Sequence, residues 1–372
     1  MPRIPLLVAA VALGNLLVPL NSTMIVVALP QISRDLAADR ASVSWLVTAY
    51  LIAMAALQPI GGRVGDRFGR RELMQGALVV FAIASIGAAL AQSLVILVAF
   101  RLIQAAAACA IVPNALGLLR GSIVGDRAGM YFGIAGSMTG LGAAVGPVLG
   151  GFLTAIDWRW IFAVNVPIVL LALAAGWRSL PHAEHRRTAP PDVVGALSLG
   201  ALLALLAWTL IDSEGGLDPP HAGLLLAFVV GTILFVRYES GHADAALPPA
   251  LFRSRAFTGA NLAIALFTGR PTEFALLLVA MPIAGAGVAM NFPATRIAAL
   301  DSAPEHLMAL ASGVTSTSRY FGGIAGALLT AIVLGRGDDL SRLPLLFTIF
   351  ALAGLAAALV GATLPRAIAR AT

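Results

Sequence analysis

Lysine is absent from this 372-residue chain, and all 24 basic residues are arginine. Charge of either sign is scarce: 11% of residues are charged against 59% hydrophobic, and the mean hydropathy is +0.92. So little charge excludes an ordinary water-soluble domain, because there is too little polar surface to cover the apolar bulk; the solvent that suits such a chain is a lipid bilayer. A pI near 10.6 and a formal charge of +6 would fit a nucleic-acid binder. Such a binder gathers its arginines on one polar face, whereas these are dealt out between hydrophobic runs, so no nucleic-acid partner is expected. The one cysteine, Cys109, lies in an apolar run; it can form no intrachain disulfide and is silent on redox compartment.

What the chain has in abundance is long apolar runs. A bilayer core of about 30 Å takes about 20 helical residues. Runs of that length fall at 6–29, 42–60, 73–91, 95–119, 129–153, 160–177, 194–211, 221–237, 272–296, 308–334 and 344–363. The first begins close to Met1 and is too long for a signal-peptide core, so it is expected to remain as a span. A further apolar piece, 257–267, would reach only about 17 Å as a helix and is too short to cross.

The arginines between these runs orient them. Arg63, Arg67, Arg70 and Arg71 follow the second run, Arg120 and Arg127 the fourth, Arg178, Arg186 and Arg187 the sixth, and Arg237, Arg253 and Arg255 the eighth. The opposite connections hold only Arg34, Arg40 and Arg159. Basic residues in short loops stay inside, so the N-terminus is expected in the cytoplasm. The alternation fails after the eighth run, where Arg366 and Arg370 would end outside; this reads as a block of helices missing near 269–271. The polar stretch 178–193, with three prolines, is expected to be a cytoplasmic linker. His182 and His185 are spaced i, i+3, but prolines on both sides and no nearby cysteine favour a solvated loop over a metal site. All five histidines sit in connections and no acid pairs with them in a span, which places a membrane enzyme last among the candidate functions.

Four constellations stand out. Residues 61–71 read Gly-Gly-Arg-Val-Gly-Asp-Arg-Phe-Gly-Arg-Arg, a charged hinge between two apolar runs. Charge alone would make a solvated cytoplasmic turn, but glycines at 61, 62, 65 and 69 around the single acid Asp66 also permit close helix approach. No strand precedes it and the dinucleotide-binding glycine pattern is missing. Second, Gly142-Ala-Ala-Val-Gly146-Pro147-Val-Leu-Gly150-Gly151 sets small residues four apart, giving a groove for another helix, with a proline inside to bend it. Third, Arg101 and Gln104 lie about two turns inside the fourth run. A charge at that depth costs at least about 2.5 kcal/mol, so its default reading is functional, against snorkelling to the interface; Arg319 is the comparable case in a later run. Fourth, Asn15 and Asn21-Ser22-Thr23 place amides in the first span, where interhelical bonding is the plain reading. Trp158-Arg-Trp160 and Phe162 read as an interfacial aromatic belt.

Together these stretches resemble the major facilitator superfamily, and more closely its fourteen-helix drug:proton antiporter branch of the EmrB/QacA type. The likeness is dense from Leu20 to Pro167. It rests on the 61–71 loop motif, on Arg101 with Gln104 in helix four and on Gly142 to Gly151 as the antiporter motif of helix five. Asp157-Trp-Arg-Trp160-Ile-Phe-Ala-Val-Asn165-Val-Pro167 is similar to the start of helix six. The resemblance implies an all-α polytopic membrane helix bundle of the major facilitator type, here with about 11–12 spans in place of 14. It implies an N-terminal six-helix bundle over 1–177, the linker 178–193, two extra central helices over 194–238 and an incomplete C-terminal bundle over 239–372. It places Asn21, Arg101, Gln104 and Arg319 on the transport cavity or proton pathway. Gly62, Gly65, Asp66, Arg67, Gly69, Arg70 and Arg71 would form the cytoplasmic gate, and Gly142, Gly146, Pro147, Gly150 and Gly151 the antiporter helix.

The implied activity is export of apolar or amphipathic small molecules across the bacterial cytoplasmic membrane, with protons as the candidate co-substrate, no cofactor and no metal. Two departures bear on it. The branch carries an aspartate where this chain has Asn21, and an amide does not exchange a proton near neutral pH. The missing block would remove the helix that the acid of the loop motif contacts in the family, leaving Asp66 to pair locally. A transport-inactive remnant, a partner-binding membrane protein and an uncoupled facilitator therefore stand beside the exporter.

Overall fold

The structure, a computed structural model, describes residues 4–123, 128–181, 192–212 and 219–241, with the isolated positions 349 and 356. Arg319, His182 and His185, the apolar runs after residue 241 and the junction at 269–271 lie outside the described residues. Every described element is helical, and six helices are long and apolar enough to cross a membrane, or seven when a bent pair is counted as one span. The chain divides into two compact units.

The first unit holds α1 (Ile4–Asp35), most of α2 (Arg40–Phe68), α3 (Arg70–Ala89), α4 (Leu94–Ser122), α5 (Ala128–Ile156), α6 (Trp160–Ala163) and α7 (Asn165–Trp177). Local signals fix several boundaries. The Asp39 carboxylate accepts from the Ser42 amide at 2.7 Å and starts α2; the Ser93 hydroxyl does the same for Ile96 at the start of α4. Pro167 has no N–H to give the carbonyl of Ala163, four residues earlier, and the apolar stretch 160–177 is correspondingly split into α6 and α7 at Val164. Helix α2 bends by 49° between Gln58 and Ile60, where the sequence places Pro59.

One end of this unit is closed by a tight apolar cluster: Met24, Ile25, Ala28 and Ile32 of α1, Leu46 of α2, Ala88 of α3, Leu97 of α4, and Trp158, Ile161 and Phe162 around α6. Trp158 is fully buried, its indole N–H donating to Asp35 at 2.9 Å, with Phe162 edge-on at 6.1 Å. This corrects the expected aromatic belt, in which only Trp160 remains exposed. Trp158 is drawn inward because its ring fills the core while Asp35 satisfies its one polar atom.

The stretch 61–68 is also not the hinge that its glycines and charges suggest. It forms the last two turns of α2, and the chain turns only at Gly69, whose φ of 100° belongs to glycine. The glycines serve packing instead, as described below.

The second unit contains residues 55–60 of α2 together with α8 (Val193–Asp212) and α9 (Pro219–Gly241). Asp192 starts α8 by accepting from the Gly195 amide at 2.7 Å and also accepts from the Tyr238 hydroxyl at 3.2 Å. Glu239, in the last turn of α9, is 1% exposed and its carboxylate lies against Gly195 beside that of Asp192. Glu239 is thus an acid buried at the end of an apolar helix. His221 falls in the first turn of α9 rather than in a connection.

Candidate functional site

The middle of the first unit is polar. Arg101 is fully buried on α4 and makes three contacts: Nε donates to the Leu46 carbonyl of α2 at 3.2 Å, Nη1 donates to Gln104 Oε1 at 3.3 Å, and the guanidinium sits 4.0 Å from the centroid of Tyr50. Gln104 continues the chain of bonds, donating from Nε2 to Ser85 Oγ of α3 at 2.8 Å, and Ser85 donates to the Phe81 carbonyl at 2.7 Å. From α1, Asn21 Nδ2 reaches Gln104 Oε1 at 3.5 Å, and Asn21 Oδ1 accepts from Asn165 Nδ2 of α7 at 3.2 Å. Five helices thus meet through amides, one hydroxyl, one ring and one guanidinium.

The helical spacing explains the convergence. Arg101 and Gln104 are three residues apart and share the inward face of α4, so one glutamine oxygen can accept from both the arginine and Asn21. Among the described residues no carboxylate pairs with Arg101. Its charge is met by neutral acceptors and by the face of Tyr50, a cation–π contact worth up to about 2 kcal/mol when water is excluded. Arg101 Nη2 and Asn165 Oδ1 are buried and make no hydrogen bond.

The structure therefore brings Asn21, Arg101 and Gln104 into one network and adds Tyr50, Ser85 and Asn165, which the sequence reading did not assign to it. Ser85 and Tyr50 carry no pattern of their own; only their depth in apolar runs could have flagged them. Asn15, the other amide of α1, is not in this network, and donates to the Ala135 carbonyl of α5 at 3.2 Å.

At the arginine-rich end the glycines of α2 let α4 approach. A Cβ on Gly61 would fall on the Cys109 carbonyl, and one on Gly65 would fall on the Asn114 side-chain oxygen. The Cys109 carbonyl is the one Pro113 cannot serve within α4, so glycine lies against the loosened turn. Asn114, likewise missed from sequence, donates to the Gly61 carbonyl at 2.9 Å and to Ala110 at 2.7 Å, riveting the two helices. Arg70 packs on Gly117 and pairs with Asp66 at 2.6 Å. Arg71 is turned elsewhere and donates to the Trp177 carbonyl at 2.7 Å, while Arg67 lies 5.5 Å from the Phe68 ring. Because the Asp66–Arg70 pair is partly open to solvent, with side chains 15% and 27% exposed, it contributes about 0–1 kcal/mol. Asp66→Asn is expected to shift thermal unfolding of the purified protein only slightly, and Gly65→Val to lower it much further. Equal shifts would mean that charge, and not the glycine contact, holds this end.

The glycines of α5 have the same use against α1. Cβ atoms on Gly142, Gly146 and Gly150 would meet Leu16 and Pro19, Thr23, and Met24 respectively. Gly151 is different: a Cβ there would meet nothing within 4 Å, so it does not belong to the packed face.

A sequence model described as Major Facilitator Superfamily matches residues 11–327. The chain is 38% identical over 280 residues to an uncharacterized MFS-type transporter, YvkA, of Bacillus subtilis, covering 74% of this chain and 62% of that one. It is 36% identical over 249 residues to the tetracenomycin C resistance and export protein of Streptomyces glaucescens, covering 66% and 46%. The chain thus spans roughly half to under two thirds of the length of these relatives. Among solved structures, the proton:xylose symporter XylE bound to 6-bromo-6-deoxy-D-glucose superposes with a TM-score of 0.59 at 15% identity, covering 97% of this chain and 96% of that one.

Proposed function

Because the chain belongs to the Major Facilitator Superfamily and is an integral membrane helix bundle, we propose that it exports apolar or amphipathic small molecules. The mechanism is alternating access, two bundles rocking about a site near the bilayer midplane. The observation that carries this reading is the buried polar centre of the first unit. A guanidinium without a counter-carboxylate is costly inside a membrane bundle and marks a functional position. Arg101 Nη2 offers unused N–H donors and Asn165 Oδ1 an unused acceptor, enough to orient a weakly polar group on an otherwise apolar molecule. A relative named for tetracenomycin C resistance and export supports that substrate class.

The chain is read as a shortened member of the fourteen-helix drug:proton antiporter branch, in the bacterial cytoplasmic membrane with its N-terminus inside. The 61–71 and 142–151 motifs and the distribution of arginines support this. Asn21 sets the coupling. It holds Gln104 and Asn165 through an amide that neither takes up nor releases a proton near neutral pH, so transport runs without a proton cycle at residue 21.

Asn21→Asp is the experiment. A carboxylate at this position can still accept from Asn165 and would give the Arg101 network its missing counter-charge. Transport by the variant is expected to become dependent on pH and on the proton gradient, where the wild type is indifferent to both. Proton-driven accumulation in vesicles by the unaltered chain would show that another acid couples and would defeat this reading.

A further inference from the structure

Outside the polar centre, α3 and α7 leave a groove of about 540 Å³ between them, lined by Glu72, Gln75, Gly76, Val79, Leu173 and Trp177. It opens on the outer surface of the first unit, where the neighbouring Ile83, Leu170 and Leu171 are about 60% exposed, a surface suited only to acyl chains. Gly76 makes the groove: a Cβ there would meet nothing within 4 Å. At the polar end, Arg71 is held against Trp177 by its bond to the Trp177 carbonyl, and exposed Arg178 follows. Gln75 Nε2 is buried at the groove and donates to nothing.

We propose that this groove seats one glycerophospholipid from the leaflet that meets the start of α3. The groups descend α3 in the order of the lipid's own parts. Arg71, with Arg178, faces the phosphate; Gln75, one turn deeper, gives its unused N–H to an ester carbonyl; and the gap over Gly76 and Val79 takes an acyl chain. Among the described residues at the mouth, two arginines and Glu72 sum to a single positive charge, which suits a headgroup with one phosphate. Trp177 lies at the polar–apolar boundary, where indole rings settle. None of its residues belongs to the polar centre; Arg71 alone is shared with the 61–71 motif, and lipid binding is read without transport.

The test uses the full chain purified in detergent and delipidated, with dioleoylphosphatidylglycerol added back and bound lipid counted by native mass spectrometry. One lipid per chain is expected to bind tightest. Gly76→Phe, whose Cβ would meet nothing within 4 Å and whose ring would occupy the groove, is expected to weaken it about tenfold, the loss of about two buried methylenes. Arg71→Gln should weaken it about fivefold, as for one arginine at an anionic surface. Gly223→Phe, also at an open glycine but on α9, should bind as the wild type does. Dioleoylglycerol, which lacks the phosphate, should bind more weakly than the phospholipid. On the unaltered fold, phosphatidylglycerol with brominated acyl chains should quench more tryptophan fluorescence in the wild type than in Trp177→Phe. Undiminished binding by Gly76→Phe, or equal quenching in the wild type and Trp177→Phe, overturns the site. Equal affinity for dioleoylglycerol overturns its phosphate assignment.

Discussion

Arg101→Met is expected to leave the first bundle at least as stable as the wild type and to abolish transport. The two effects separate because the guanidinium serves function at a cost to stability. It is fully buried, and among the described residues no carboxylate offsets its charge. Removing a buried charge that has no counter-ion relieves a desolvation penalty of several kcal/mol, which is expected to offset the hydrogen bonds lost at Leu46 and Gln104, about 1–3 kcal/mol each. What is lost is the link from α4 to the Leu46 carbonyl and to Gln104, and the unused N–H donors of Nη2. The check is thermal unfolding in detergent beside transport in vesicles. A variant that unfolds earlier by several degrees would make Arg101 a structural strut, and a variant that still transports would remove it from the site.

Gly142→Leu carries a large expected effect on folding. A Cβ at this position would lie 2.7 Å from the Leu16 carbonyl and 3.2 Å from the Leu20 amide, both backbone atoms of α1 that no rotamer change can move. The two helices would have to part along a face that also includes Gly146 and Gly150. The cost is expected at the upper end of overpacking penalties, about 3 kcal/mol. Gly151→Leu, in the same motif and with open space around it, is expected to unfold as the wild type does. Unfolding midpoints of the two variants decide between a packed glycine face and a generally flexible helix, which would make them alike.

These contrasts show where the sequence was legible. Hydrophobic run length located the described helices because a bilayer-spanning helix must satisfy its backbone within itself, leaving length and apolarity as the dominant signal. Arg101 and Gln104 could be singled out because a charge or amide in such a run is expensive whatever surrounds it. Their partners could not. Ser85, Tyr50 and Asn114 are ordinary residues in ordinary positions until three or four helices are assembled around them. The glycines of 61–68 were misplaced for a related reason: glycine beside arginine reads as a turn in one dimension, whereas here it is a smooth helix face against Cys109 and Asn114. Trp158 was assigned to an interface by residue type, and only the position of Asp35 turned it inward. Within the Gly142–Gly151 motif the sequence reading grouped Gly151 with the packed glycines; the structure separates it, because Gly142, Gly146 and Gly150, four apart, meet α1 and Gly151 does not.

The most direct measurement is flux through vesicles containing only the purified full chain and lipid, loaded with a panel of neutral, cationic and anionic amphipathic dyes. The account predicts saturable, protein-dependent movement of the neutral amphipathic compounds, unchanged by an imposed proton gradient and reduced to the protein-free background by Arg101→Met. Folded protein that moves none of the panel above protein-free vesicles would contradict it, and would leave the chain a membrane protein of transporter fold that does not transport.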